Sequence, residues 1–163
     1  MDLATVIAQM FVTACMAGWM TLGVKDNIQH PIMNRTFTTL VLEMERMAEM
    51  YPEHYALVAH RRITNPALQT ALFRMIVLAE LIAALLLWVG AGWLALAGFG
   101  VTDVESARVA ALIGTIVFTG VWASFLIGGN HFNYWYCHEW AQNNHFQLVL
   151  WGTAAMVLLV TPG

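Results

Sequence analysis

The chain has 163 residues, of which 60% are hydrophobic and 10% charged, and its mean hydropathy is +0.64. A soluble domain carries roughly 25% charged residues, so this composition excludes one: too few polar side chains exist to cover a water-facing surface. A net charge of −3 without a Lys/Arg-rich tract gives no basic field for nucleic acid, and two cysteines, Cys15 and Cys137, make no disulfide framework.

The first apolar run extends from Leu3 to Val24 without an ionised side chain. A helix needs about 20 such residues to cross ~30 Å of hydrocarbon. The opening Met1-Asp2-Leu3 lacks the basic start of a cleaved signal peptide, so a retained first span is expected. A polar interlude follows, from Lys25 to about Leu72, and Pro31 bars a simple continuation of the first helix. Phe37, Leu40, Val41, Met44, Met47 and Met50 then recur at helical spacing with Glu43, Arg46 and Glu49 between them. That pattern predicts an amphipathic helix lying on the membrane or on neighbouring spans. Tyr51-Pro52-Glu53-His54 opens a second short helix reaching Arg61-Arg62. Asn65 and Pro66 supply the N-cap and first residue of a long helix that runs unbroken into the next apolar segment.

That segment, about Phe73 to Gly98, is the second expected span, and the first two turns of its helix project from the bilayer. After a loop from Gly98 to Glu105, a third span is expected over about Ala107 to Ile127, ending at Gly128-Gly129. The fourth is expected over about Phe146 to Val160, its helix starting as early as Trp140. Four spans with short connections predict an all-α, multi-pass antiparallel bundle in the lipid bilayer, one domain over residues 1–163. Ala79, Ala83, Ala84, Gly90 and Gly92, with Gly114 and Gly120, permit close helix approach.

Four spans place the first and third connections on one side of the membrane, and all six histidines fall there: His30, His54, His60, His131, His138, and His145 at the start of the fourth span. Cys137 joins them. His131, His138 and His145 stand seven residues apart, so a helical stretch would line them on one stripe at intervals of about 11 Å, too far for one metal ion to bridge. A metal site on His131, Cys137, His138 and His145 therefore needs ligands from the first connection or a non-helical fold. Imidazole and thiolate suit copper or zinc, and two imidazoles suit haem. No HxxxH, HExxH or CxxC spacing supports that reading. The alternative is an interfacial belt, in which Trp135, Trp140 and the tyrosines sit at the membrane–water boundary and the histidines are simple donors. Met44, Met47 and Met50 suit copper by chemistry, but their spacing is that of an apolar helix face, and packing is the expected role.

Glu80 lies about two turns inside the second span, where an unpaired carboxylate is costly. Arg74, six residues away on the same helix, is on a poor face to pair with it, so a histidine or an amide from another span is the expected partner. Glu80 is a candidate proton-handling or quinone-contacting carboxylate, with Trp135 and Trp140 as candidates for the same pocket, or it is a structural hydrogen bond between spans.

The chain resembles the bacterial predicted small integral membrane proteins of unknown function. The likeness rests on Ile63-Thr64-Asn65-Pro66-Ala67-Leu68 before the second span, on Glu80 in an apolar helix, and on Gly128-Gly129 followed by Phe132, Trp135 and Trp140. Asn130-His131 and Tyr136-Cys137-His138 depart from the family's usual pattern. The resemblance implies a four-span protein of the bacterial inner membrane and adds no reaction. Lys25, Arg35, Arg46, Arg61, Arg62 and Arg74 lie in or beside the first connection and only Arg108 opposes them, which by the positive-inside rule favours a cytoplasmic first connection, whereas the resemblance implies a cytoplasmic N-terminus and so the opposite orientation. The expected function is a non-catalytic accessory or anchor subunit of a larger respiratory or metallo-oxidoreductase membrane complex, or a homo-oligomer. The alternative is a redox protein binding copper, haem or quinone on its histidine-rich side. A transporter is disfavoured, because one intramembrane carboxylate without an inverted repeat is thin material for a pathway.

Overall fold

Prolines and capping side chains set the helix ends. The computed structural model describes residues 3–161 and contains α1 (Leu3–Gln29), α2 (Pro31–Glu43), α3 (Glu45–Met50), α4 (Pro52–Val58), α5 (Pro66–Gly98), α6 (Val104–His131) and α7 (Glu139–Val160). Short 3-10 turns cover Ala59–Arg61 and Tyr134–Tyr136. Pro31, Pro52 and Pro66 each stand in the first turn of a helix, where a missing N–H costs nothing. Asn65 caps α5 as expected, its Oδ1 accepting from the N–H groups of Ala67 at 2.9 Å and Leu68 at 3.3 Å. Asp103 does the same for α6, accepting from the N–H of Ser106 at 2.8 Å.

Two boundaries differ from expectation. The single amphipathic helix predicted across Phe37 to Met50 is two helices, because Met44 takes a left-handed backbone with φ of 55° and separates α2 from α3. Leu42, Met44 and Met47 are buried while Met50 is 59% exposed, so the methionines pack and do not converge on one point. The third span does not end at Gly128-Gly129, since α6 runs on to His131. Glycine weakens a helix by only about 1 kcal/mol, and here Gly129 makes room for the ring of Tyr134, which a β-carbon would strike.

α5 is the central helix, packed between α1 and α6, with α7 against α6. The main core joins Met16 and Met20 of α1, Ala83, Ala84 and Leu87 of α5, Phe118 and Trp122 of α6, and Leu148 of α7. A second cluster, around Leu94, Ala107, Ala111 and Leu159, closes the far end. α5 and α6 meet almost backbone to backbone. A β-carbon on Gly114 would lie 2.8 Å from the Leu87 nitrogen, and one on Gly90 would strike the Ala111 backbone. Gly92 and Gly120 face open space and play no part in that contact.

α1, α5 and α6 are long and apolar enough to cross a membrane. The structure thus supports three candidate spans where four were expected. α7 has 22 residues, but its first turns carry Glu139, Gln142, Asn143, Asn144 and His145, which leaves the segment 146–160, about 22 Å, as its apolar part. Replacing Gly114 with valine is expected to lower stability by about 1–3 kcal/mol, as overpacking does, whereas Gly120→Ala stays within about 0.5 kcal/mol of the parent. Unfolding titrations in mixed micelles check both.

Candidate functional site

Both connections fold onto the same end of the bundle. Arg46 of α3 donates to the Cys137 carbonyl at 3.3 Å, and Arg61 donates to the His131 carbonyl at 3.2 Å. The Tyr136 hydroxyl lies 2.8 Å from His54 Nδ1. The Phe37 ring of α2 meets His138 and Trp140, each at 5.2 Å between centroids. On the α5 side, the buried Gln69 amide donates to Glu43 Oε1 at 2.7 Å and to the Ile63 carbonyl at 2.8 Å. The result is a platform of α2, α3 and α4, clamped to α5 on one flank and to the α6–α7 connection on the other.

Beneath it lies the buried carboxylate. Glu80 is 6% exposed, and Glu80 Oε2 accepts from Asn27 Nδ2 of α1 at 2.7 Å. Asn27 Oδ1 in turn accepts from Asn34 Nδ2 of α2 at 2.6 Å. The partner is an amide from another span, one of the two kinds expected. A chain of three polar side chains thus leads from the interior of α5 to the platform, beside a cleft of about 280 Å³ that Asn27 helps to line. Asn27, Asn34 and Gln69 were not singled out in the sequence. Asn27 had a signal, because it continues the buried stripe Gln9, Thr13, Met16, Met20 and Val24 along α1.

The structure does not bring the four metal candidates together. The chain turns at Asn133, whose φ is 51°, so His131, Cys137, His138 and His145 fall at the end of α6, before α7, at its cap and in its second turn. His131 is exposed beside Phe132. His145 stacks on Phe125 at 4.8 Å and on Trp122 at 5.7 Å, with the Tyr134 hydroxyl 3.4 Å from its Nδ1. His138 is buried under Phe37, and its Nδ1 has no hydrogen-bond partner among the described residues. Burial pushes the Cys137 thiol up, outweighing the nearby Arg46, which keeps it in the protonated form that binds metal poorly. Burial likewise pushes the Tyr134 phenol up to about 12. Among the described residues, no group of three or more His, Cys, Asp or Glu is placed to share a metal ion. Trp135 and Trp140 are exposed on the α6–α7 side, while Glu80 is engaged with Asn27 between α1 and α5.

Residues 5–162 match the family described as predicted small integral membrane protein (DUF2165). The chain belongs to this family. No curated protein and no solved structure matches it. Membership of this integral-membrane family agrees with the three long apolar helices and makes the chain a multi-pass membrane protein.

In this family member, the Asn27–Glu80 bond is expected to be structural. Asn27→Leu strands both the carboxylate and the Asn34 amide and should cost about 2–4 kcal/mol, whereas Glu80→Gln keeps an acceptor for Asn27 and should cost less than about 1 kcal/mol. A neutral Asn27→Leu in detergent unfolding would remove this bond as a determinant of the fold. His138 gives a pH dependence. Burial, with Arg46 in support, holds its folded-state pKa below the ordinary value, so the unfolded chain binds the proton more readily. Its contribution is therefore complete above about pH 6.5 and declines as pH falls below that value. Thermal unfolding between about pH 7 and 5 should show the decline, and His138→Gln should make it shallower.

Proposed function

We propose that this chain is a non-catalytic, four-span membrane subunit that carries a folded docking platform for a larger membrane protein complex. The observation that carries the reading is the platform itself. Long-range bonds from Arg46, Arg61 and Gln69 hold it in place, yet Met50 and Leu57 remain exposed on it, Leu57 by 75%, with exposed Trp140 of α7 beside it. Methionine and aromatic side chains on a surface that is already ordered are what protein interfaces select, because little entropy is lost on docking. Glu45, Glu49 and Glu53 are also exposed and form no ion pair among the described residues, which suits a partner segment that is basic and apolar.

The fourth span rests on the course of α7. Its first turns lie with Tyr134 and Phe125 at the platform end. Its last residues lie with Arg108 of α6, which donates to the Leu159 carbonyl at 2.8 Å, and with Gln9 of α1, which donates to the Leu158 carbonyl at 2.9 Å. α7 thus travels the depth of the bundle, its polar first turns at the headgroup level. The basic residues of the first connection favour a cytoplasmic platform in a bacterial inner membrane.

A second reading has one observation in its favour, the Glu80–Asn27–Asn34 chain, which suits a carboxylate that exchanges a proton or contacts a quinone.

Native isolation from its own membranes in a mild detergent, with mass spectrometry of whatever comigrates, is expected to return a reproducible larger complex that Leu57→Glu disrupts. The chain alone in every mild detergent would sink the docking reading. For topology, cysteines introduced one at a time in a background without Cys15 and Cys137 are expected to label from one side at Ser106 and Thr161 and from the other at His60. Labelling of Thr161 and His60 from the same side would leave three spans.

A further inference from the structure

We propose that the cleft between α1, α2 and α5 is a binding site for an anionic phospholipid, its phosphate held between Arg35 and Arg74 and its acyl chains laid along α5. The cleft measures about 280 Å³, and its lining residues join two arginines, Arg35 and Arg74, to polar Asn27 and Thr70 and to apolar Ile28 and Val77. No carboxylate is among the lining residues. Arg35 is aimed by a bond from its Nη2 to Thr70 Oγ1 at 2.8 Å, and Thr70 is itself tied to the Pro66 carbonyl at 2.7 Å. Arg74 follows Thr70 by four residues, hence on the same face of α5, and has no partner among the described residues. Two like charges sharing one cleft repel unless an anion sits between them, and the planar guanidinium fork matches phosphate oxygens in pairs.

The position selects a lipid over a soluble phosphate. Arg74 stands where the apolar part of α5 begins, about two turns from the helix start, at the level of headgroups. From Arg74 an exposed stripe continues down the same face of α5 through Leu78, Leu81, Leu85 and Trp88. Trp88 donates its Nε1 to Thr21 Oγ1 at 3.0 Å, which holds α1 alongside this stripe. A headgroup at the cleft therefore has its tails already over apolar surface, whereas an inorganic ion would use only the upper end of the site. The site stands whether or not the platform carries a partner.

The experiment is a native mass spectrometry titration of the purified chain in a neutral detergent with phosphatidylglycerol and, in parallel, phosphatidylcholine. The parent chain should retain phosphatidylglycerol in preference. The Arg35→Gln/Arg74→Gln pair should lose that preference by roughly tenfold to thirtyfold, the range that two interfacial guanidiniums supply. Arg62→Gln, outside the cleft, should keep it. Val77→Trp fills the cleft while leaving both charges in place and should reduce binding as strongly as the double variant, which separates a bound lipid from a diffuse attraction. Equal retention of the two lipids by the parent chain, or full phosphatidylglycerol binding by Val77→Trp, would overturn the proposal. So would displacement of phosphatidylglycerol by millimolar inorganic phosphate, which would make the site one for a soluble anion.

Discussion

A carboxylate between helices in hydrocarbon has no water to bond, so its donor has to come from the protein and has to be held in place. Glu80 takes its donor from Asn27, and Asn27 is held by Asn34. This one bond sets the geometry of the platform end. It closes α1 on α5, places the turn at His30 and Pro31 within reach of α5, and fixes the flank along which α2 departs. The Gln69 amide, bonded to Glu43 at the far end of α2, then has only to pin a helix whose start is already placed.

Most of the remaining polar side chains inside the bundle obey the same constraint, the exceptions among the described residues being Gln9 Oε1 and Trp122 Nε1, which are buried without a partner. Thr13, Thr115 and Thr119 each donate to the carbonyl of the residue four positions earlier, which satisfies the hydroxyl without a second helix. Gln9 crosses to the Leu158 carbonyl near the end of α7. Between these ends the contact is carried by size. Gly90 and Gly114 let the backbones of α5 and α6 approach almost into contact, and the close approach supplies the dispersion contacts that hydrophobicity does not provide between helices in lipid.

The long helices were legible because their signals are local. The caps and prolines of α5, the apolar runs of α1, α5 and α6, and the need of Glu80 for a donor from another span all follow from neighbouring residues or from the cost of burial. What escaped were features set by distant contacts. A left-handed methionine has no local signature, and Met44 is held so because its side chain and those of Leu42 and Met47 are buried on both sides of the break. Gly128-Gly129 reads as a stop until the Tyr134 ring is placed over Gly129. The even spacing of His131, His138 and His145 suggested one stripe only while the stretch was taken as helical, and the turn at Asn133 sends them to three different surroundings. α7 was read from its apolar half, and its polar first turns keep it below the hydropathy of the other three.

The arginines divide into those spent inside the fold and those left over, and the division bears on function. Arg46 and Arg61 donate to carbonyls beyond and at the end of α6, and Arg108 donates to the Leu159 and Thr161 carbonyls at the end of α7. The His131, Leu159 and Thr161 carbonyls stand at helix C-termini, so Arg61 and Arg108 complete helix ends and oppose the negative pole of the dipole, whereas Arg46 ties down the connection before α7. Arg108, the one basic residue on the far side, therefore has a structural reason to be there and weighs little against the charge asymmetry. Arg62 reaches the Tyr55 hydroxyl. Among the described residues, Arg35 has no side-chain partner beyond Thr70, and Arg74 has none. The guanidinium capacity of this end that is not consumed by the fold thus gathers at one cleft between α1, α2 and α5, while exposed Glu45, Glu49, Glu53 and Leu57 lie on α3 and α4. A lipid headgroup on the first surface and a protein on the second would meet opposite charges without competing for the same ground.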